Sequence, residues 1–287
     1  MENVFKTNRM TVIGTLVETD LSVKTARSGQ DYVGGTITIK SVINGREQLT
    51  DVRLFAFRFK KGTTVTNKLF ESYSALADSI GKRIEVSGSI DEGRFYQESG
   101  AQVISFNNNS GRFINKAKTT DVDVAEFEFA GYVVKPLTER LSAADVIVAY
   151  EMVLAQANYN ATKPIYVKFT IPAEEAKKAA AVQDLYQVGD TVVIKGDISV
   201  ITEEVTKEQP TAFGEPMIKV YTNTYKTYQI VSGSEPVTGK GEYSSADIRT
   251  LKRAYEDEGF SIEQSAKENS NTSDSNTAAT SGFGSLL

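Results

Sequence analysis

Ile80-Gly81-Lys82-Arg83-Ile84-Glu85-Val86-Ser87-Gly88-Ser89-Ile90 returns 108 residues further on as Val188-Gly189-Asp190-Thr191-Val192-Val193-Ile194-Lys195-Gly196-Asp197-Ile198. Both stretches read apolar-Gly-x-x-apolar-x-apolar-x-Gly-x-Ile. The alternation marks a half-buried strand, and the first glycine stands where a preceding helix needs a left-handed cap. One supersecondary unit is therefore present twice.

What precedes each block agrees. In the first copy Leu69, Tyr73, Leu76 and Ile80 recur at helical spacing after Thr66-Asn67, a candidate N-cap. In the second, Pro172 opens a helix-favouring stretch with Glu174 and Glu175 in its first turn and Leu185 and Val188 near its end. Upstream lie three alternating runs per copy, at 10–17, 36–42 and 52–59 and again at 127–134, 146–154 and 165–171. A closing run follows each block, at 102–106 and 217–230. Three strands, a helix and two strands is the order of an OB-fold, so the expected fold is all-β: two tandem OB barrels, each with one helix between strands 3 and 4.

The rest of the chain differs in kind. Ser244-Ser245-Ala246-Asp247 resembles a capping box, and Ile248, Leu251 and Tyr255 follow on one helical face until Gly259, a short helix expected to dock or fray. Between 261 and 281, twelve of 21 residues are Ser, Thr or Asn, too polar to bury a core, which reads as disorder. Phe283, Leu286 and Leu287 then give the tail an apolar tip, fit either for a partner's pocket or for nothing more than a frayed end. The expected division is 1–118 for the first barrel, 119–235 for the second, 236–260 for a linker with the short helix, and 261–287 for the tail.

Composition narrows function. The 287 residues contain no Cys, His or Trp, which removes disulfides, thiolate or imidazole metal sites and the common nucleophile systems. No run approaches the roughly 20 apolar residues of a membrane helix, and the amino-terminal residues carry no apolar signal core, so the expectation is a cytoplasmic protein. The net charge of −5 is unevenly spread. Residues 1–118 hold 17 Lys+Arg against 12 Asp+Glu, while 119–235 hold 10 against 17 and 236–287 hold 5 against 8. A locally basic barrel attracts a polyanion even within an acidic molecule.

The chemistry-bearing residues fall in that basic part. In Asp51-Val52-Arg53-Leu54-Phe55-Ala56-Phe57-Arg58-Phe59-Lys60, alternation puts Val52, Leu54 and Ala56 on one face and Arg53, Phe55, Phe57 and Phe59 on the other. If the aliphatic face fills the barrel, a row of phenyl rings is left outside, suited to stacking on bases, unless the helix or another subunit covers it. The first long connection supplies Lys24, Arg27 and Tyr32, the return strand Lys40, and the connection after the fourth strand Arg94, Phe95 and Tyr96. Cations there suit phosphates and rings suit bases. Asp121 and Asp123 with Glu126 and Glu128 alternate with apolar residues and read as a solvated acidic edge rather than a magnesium site. No phosphate-binding Gly-x-x-x-x-Gly-Lys-Ser/Thr run is present, and no cofactor or catalytic residue is expected.

Gly14-Thr15-Leu16-Val17, Val23 to Gln30, Thr36-Ile37-Thr38-Ile39, the Arg53 to Phe57 run, the first glycine block and Arg94 to Gly100 together resemble bacterial and phage single-stranded-DNA-binding proteins. The resemblance spans residues 8 to about 115, and the second copy shares only its skeleton. It implies Phe95 as a stacking ring and Arg94 as a phosphate contact. Departures are visible: Asp51 falls near a third-strand Trp of the family, and the tail lacks the family's acidic cluster with a Pro-Phe tip. The expected function is non-catalytic, largely sequence-independent binding and protection of single-stranded DNA in replication or recombination, in the manner of a phage protein. Two barrels per chain imply a monomer or homodimer, where typical bacterial members assemble tetramers of single-barrel chains. The second barrel would add little, through Tyr221, Tyr225 and Lys226, and would serve chain pairing or contacts with replication proteins. The alternative is a structural or adaptor protein, such as a virion or assembly component, whose barrels touch only protein.

Overall fold

The computed structural model describes residues 4–277, apart from 143–144, 159, 161, 210–212 and 214–216, and without the side chains of 201–209, 219, 221–225 and 267–277. The expected tip residues Phe283, Leu286 and Leu287, and the rings of Tyr221 and Tyr225, lie outside what is described.

The first barrel is built from β1 (Asn8–Thr19), a short edge strand β2 (Ser22–Thr25), β3 (Asp31–Ile43), β4 (Arg46–Phe57), α1 (Lys68–Ser74), β5 (Arg83–Gln97) and β6 (Gln102–Lys116). Antiparallel pairing runs β4–β3–β1–β5–β6, and a parallel bridge from Arg53 on β4 to Ser110 on β6 closes the ring. The second repeats this with β7 (Val124–Leu141), β8 (Ile147–Ala157), β9 (Pro164–Pro172), α2 (Ala176–Leu185), β10 (Thr191–Gln209) and β11 (Met217–Gly233), closed by the parallel bridge Thr170 to Gln229. Each is a five-stranded OB barrel with its helix between the third and fourth strands.

The repeated block explains itself in backbone terms. Gly81 and Gly189 have φ of +82° and +94°, left-handed values that only glycine takes freely. Gly88 and Gly196 each sit at a bulge, where a Cβ would come within 2.0 Å of the Ser110 carbonyl and 1.8 Å of the Gln229 carbonyl. The two glycines thus set the turn into the fourth strand and the close approach of the fifth. Asn67 caps α1 as expected, its Oδ1 accepting from the Leu69 amide at 3.1 Å.

One pairing has no local sequence signal. β1 lies antiparallel to β7, from Asn8 opposite Phe129 to Ile13 opposite Val124, so the barrels share a continuous sheet. Met10 and Val12 meet Phe127 and Ala125 on its buried face, and a single apolar cluster runs through both barrels. Burial of that cluster is the main favourable term holding them together, at about 25 cal/mol per Å².

The last helix, α3 (Ser245–Thr277), starts where the capping box places it: the Asp247 amide donates to Ser244 Oγ at 3.2 Å and the Ser244 amide to Asp247 Oδ2 at 3.2 Å. Leu251 and Ile248 dock beside Tyr243 and Tyr132 of the second barrel. The helix continues past Gly259, where the sequence reading stops it, because no proline follows and the missing Cβ makes room for Arg94, whose Nη2 would lie 2.7 Å from one. No helix among the described residues is long and apolar enough to cross a membrane.

Candidate nucleic-acid interface

Strand alternation in β4 falls as the sequence implies. Val52, Leu54 and Ala56 fill the barrel at 0–4% exposure, while Phe55 and Phe57 stand outside at 50% and 38%. The register places Tyr32 opposite Phe57, Gly34 opposite Phe55 and Thr36 opposite Arg53. Gly34 adds no side chain, so Tyr32 and Phe55 approach to 5.1 Å between ring centroids, and Phe55 meets Phe57 edge-on at 5.0 Å. This three-ring patch is held by its own edge and tilted contacts, each worth about 0.5–1.5 kcal/mol, and still shows its upper surface to solvent.

Lys24 reaches the patch because β2 pairs with β3 and sets it opposite Tyr32. The first long connection is thus partly a strand. A groove of about 540 Å³ follows, lined by Lys24, Tyr32, Phe55, Arg53 and Asn108, with Asp51 as its one acid. It continues past Phe55 and Arg53 into a second hollow of about 350 Å³ that ends on Asp91 and Glu92. One end is cationic and the other acidic, so an anion is attracted to the first and repelled from the second.

Other expected residues lie elsewhere. Phe59 falls beyond the end of β4, half-buried in the turn that follows, with the Arg58 guanidinium 5.7 Å from its ring. Lys40 is opposite Leu49, toward the far end of the β3–β4 ladder, and pairs with Glu47 at 3.2 Å. Arg27 is exposed in the turn before β3, outside the groove lining. Phe95 is 48% exposed and packs on Phe106 at 5.8 Å, a second ring pair on the β5–β6 hairpin; Tyr96 is half-buried beside it.

Arg94 departs most from the sequence reading. Arg94 to Tyr96 belong to strand β5 and not to a loop, so Arg94 and Phe95 face opposite sides. The Arg94 guanidinium lies 3.7 Å from the Tyr255 ring, donates to the Tyr255 carbonyl at 2.9 Å and pairs with Glu258 at 3.5 Å, leaving its side chain 11% exposed. Tyr255 in turn donates to Glu92 Oε1 at 2.6 Å, and burial pushes that carboxyl above the usual range. Arg94 anchors α3 and does not line the groove. Its partners are more than 160 residues away, and no local pattern reveals them.

The acidic edge is also occupied by protein. Asp123 accepts from the Val42 amide at 2.7 Å and pairs with Arg83 at 2.6 Å, Asp121 accepts from the Lys118 amide at 2.7 Å, and Glu128 pairs with Lys195 at 3.4 Å. Among the described residues no three acidic side chains gather as a metal-ligand set.

Solved structures share this architecture, among them two of one protein. The wild-type single-stranded DNA binding protein from Thermus aquaticus matches with a TM-score of 0.52 at 14% identity, covering 84% of this chain and 98% of that one. A deletion variant of the same protein matches at 0.52 and 13%, covering 83% and 98%. At such identity the likeness is one of fold. No curated protein matches in sequence. The family model described as YorF matches residues 6–272, nearly the whole chain with both barrels and most of α3, and the chain belongs to the YorF family.

Proposed function

We propose that this protein binds single-stranded DNA with little sequence preference and without catalysis, in the service of replication or recombination. The observation that carries this is the solvent-facing patch of Tyr32, Phe55 and Phe57 at the rim of a groove bearing Lys24 and Arg53. Exposed phenyl rings cost solubility unless something flat covers them, and every base has a flat face. Stacking at about 1–3 kcal/mol per base, with cations on the phosphates, needs no hydrogen-bond readout. The OB architecture shared with the Thermus aquaticus protein supports the same reading.

In this proposal residues 1–118 carry the binding face and the acidic barrel at 119–235 mainly serves structure and partner contacts. Phe95 and Phe106 extend the stacking surface along the hairpin; Arg27 adds an exposed cation in the turn before β3. The tail, with Phe283, Leu286 and Leu287, is the place for a replication or recombination partner.

Filter binding of the full-length chain tests the reading. Retention of poly(dT), weakened by salt and competed poorly by duplex DNA, is expected. A protein that retains neither poly(dT) nor poly(dA) at low ionic strength is instead an adaptor whose barrels touch only protein.

A further inference from the structure

Lys226 lies on β11 of the second barrel, yet it lines the groove of the first beside Arg53, Asp51 and Asn109. We propose that the single-strand site is a two-barrel site, and that Lys226 is the phosphate contact by which the acidic barrel completes it. This deepens the proposed function and rests on it.

Three observations place the residue. Lys226 and Tyr228 are two apart on one face of β11, with the Lys226 ammonium 6.0 Å from the Tyr228 ring. The buried Tyr228 hydroxyl donates to Asn109 Oδ1 on β6 at 3.0 Å, and Asn109 Nδ2 donates to the Asp51 carbonyl on β4 at 2.9 Å. This chain of bonds beneath the groove fixes β11 against the strand that carries Arg53 and Phe55. Among the described residues no carboxylate lies within ion-pair distance of Lys226, although Asp51 is near enough to attract it. Burial lowers the ammonium below the usual lysine range. A half-desolvated cation held at a groove wall, close to a carboxylate but not paired with it, is poised for an anion from outside.

With Lys24 and Arg53, Lys226 brings a third cation to the groove that Tyr32 and Phe55 also line. A strand crossing that groove touches both barrels. It also explains how a barrel of net −7 can border a phosphate path: the cation that matters is at the boundary, not on the acidic exterior.

The test is titration of full-length Lys226→Met and Lys226→Arg with poly(dT) over a range of salt, with Phe55→Ala alongside and thermal melting of each. Expected is a three- to tenfold loss for Lys226→Met with the log–log salt slope shallower by about 0.7, the share of one single-strand phosphate, and near-complete recovery in Lys226→Arg. Lys226→Met with wild-type affinity and slope, while Phe55→Ala weakens binding, overturns the two-barrel site and leaves the proposed function standing. A wild-type chain that does not bind overturns both. A lower melting temperature in Lys226→Met with unchanged binding shows that the residue only balances Asp51, and also overturns the inference.

Discussion

Tyr228 and Asn109, both buried and on different barrels, are joined by a hydrogen bond of 3.0 Å from the phenol to the amide oxygen. Tyr228 lies in the aromatic cluster of the second barrel, 5.8 Å from Phe127 and 6.1 Å from Phe169, and burial holds its hydroxyl protonated. Tyr228→Phe keeps the ring and strands the Asn109 oxygen. The expected cost is about 1–3 kcal/mol of unfolding free energy, the price of a buried acceptor without a donor. Urea denaturation followed by circular dichroism checks it, with Tyr228→Leu falling further because ring packing is lost as well.

Phe55 and Phe57 are half outside the protein, so truncating them costs affinity more than stability. Phe55→Ala and Phe57→Ala should each lose about 1–3 kcal/mol of poly(dT) binding and keep the wild-type salt slope, since neither ring carries charge. Isothermal titration at two salt concentrations separates the two quantities.

Arg94→Met should loosen α3 while leaving the groove's charge intact. It removes the donor to the Tyr255 carbonyl and the partner of Glu258, which keeps Lys163 at 2.7 Å. Hydrogen exchange should show faster amides from 252 to 262, and the salt slope for DNA should not change. A slope that falls by the share of one phosphate would return Arg94 to the binding face.

The paired glycines give a graded test. Gly81→Ala and Gly189→Ala place a Cβ in open space or at ordinary contact but force a left-handed backbone, at about 1–2 kcal/mol each. Gly88→Ala and Gly196→Ala drive a Cβ into a neighbouring carbonyl and should destabilise more. Thermal melting ranks the four.

The same glycines show what was legible. A left-handed turn and the aliphatic parity of Val52, Leu54 and Ala56 are local demands, so the OB order and the inward face of β4 could be read from spacing alone, whereas the bulges at Gly88 and Gly196 are set by the facing strand. The Asn67 cap and the Ser244–Asp247 box are local too. The β1–β7 ladder is not: Asn8 to Ile13 alternates like any strand, and its choice of neighbour depends on residues more than 110 positions away. The site was half visible for the same reason. Tyr32, Phe55 and Lys24 meet across adjacent strands, whereas the burial of Arg94 under α3 and the entry of Lys226 into the groove are set by tertiary packing. A basic residue next to an aromatic, as in Arg94-Phe95, looks like one contact pair in sequence, but β5 sends the two side chains apart.

Photocrosslinking reports which rings lie against the bases. Full-length protein is irradiated with a single-stranded oligonucleotide carrying 5-iododeoxyuridine, digested, and the joined peptides sequenced. Adducts on Tyr32, Phe55 and Phe57, suppressed by excess poly(dT), are expected. Efficient adducts confined to residues 119–235, with none on those three rings, would overturn the placing of the binding face on the first barrel.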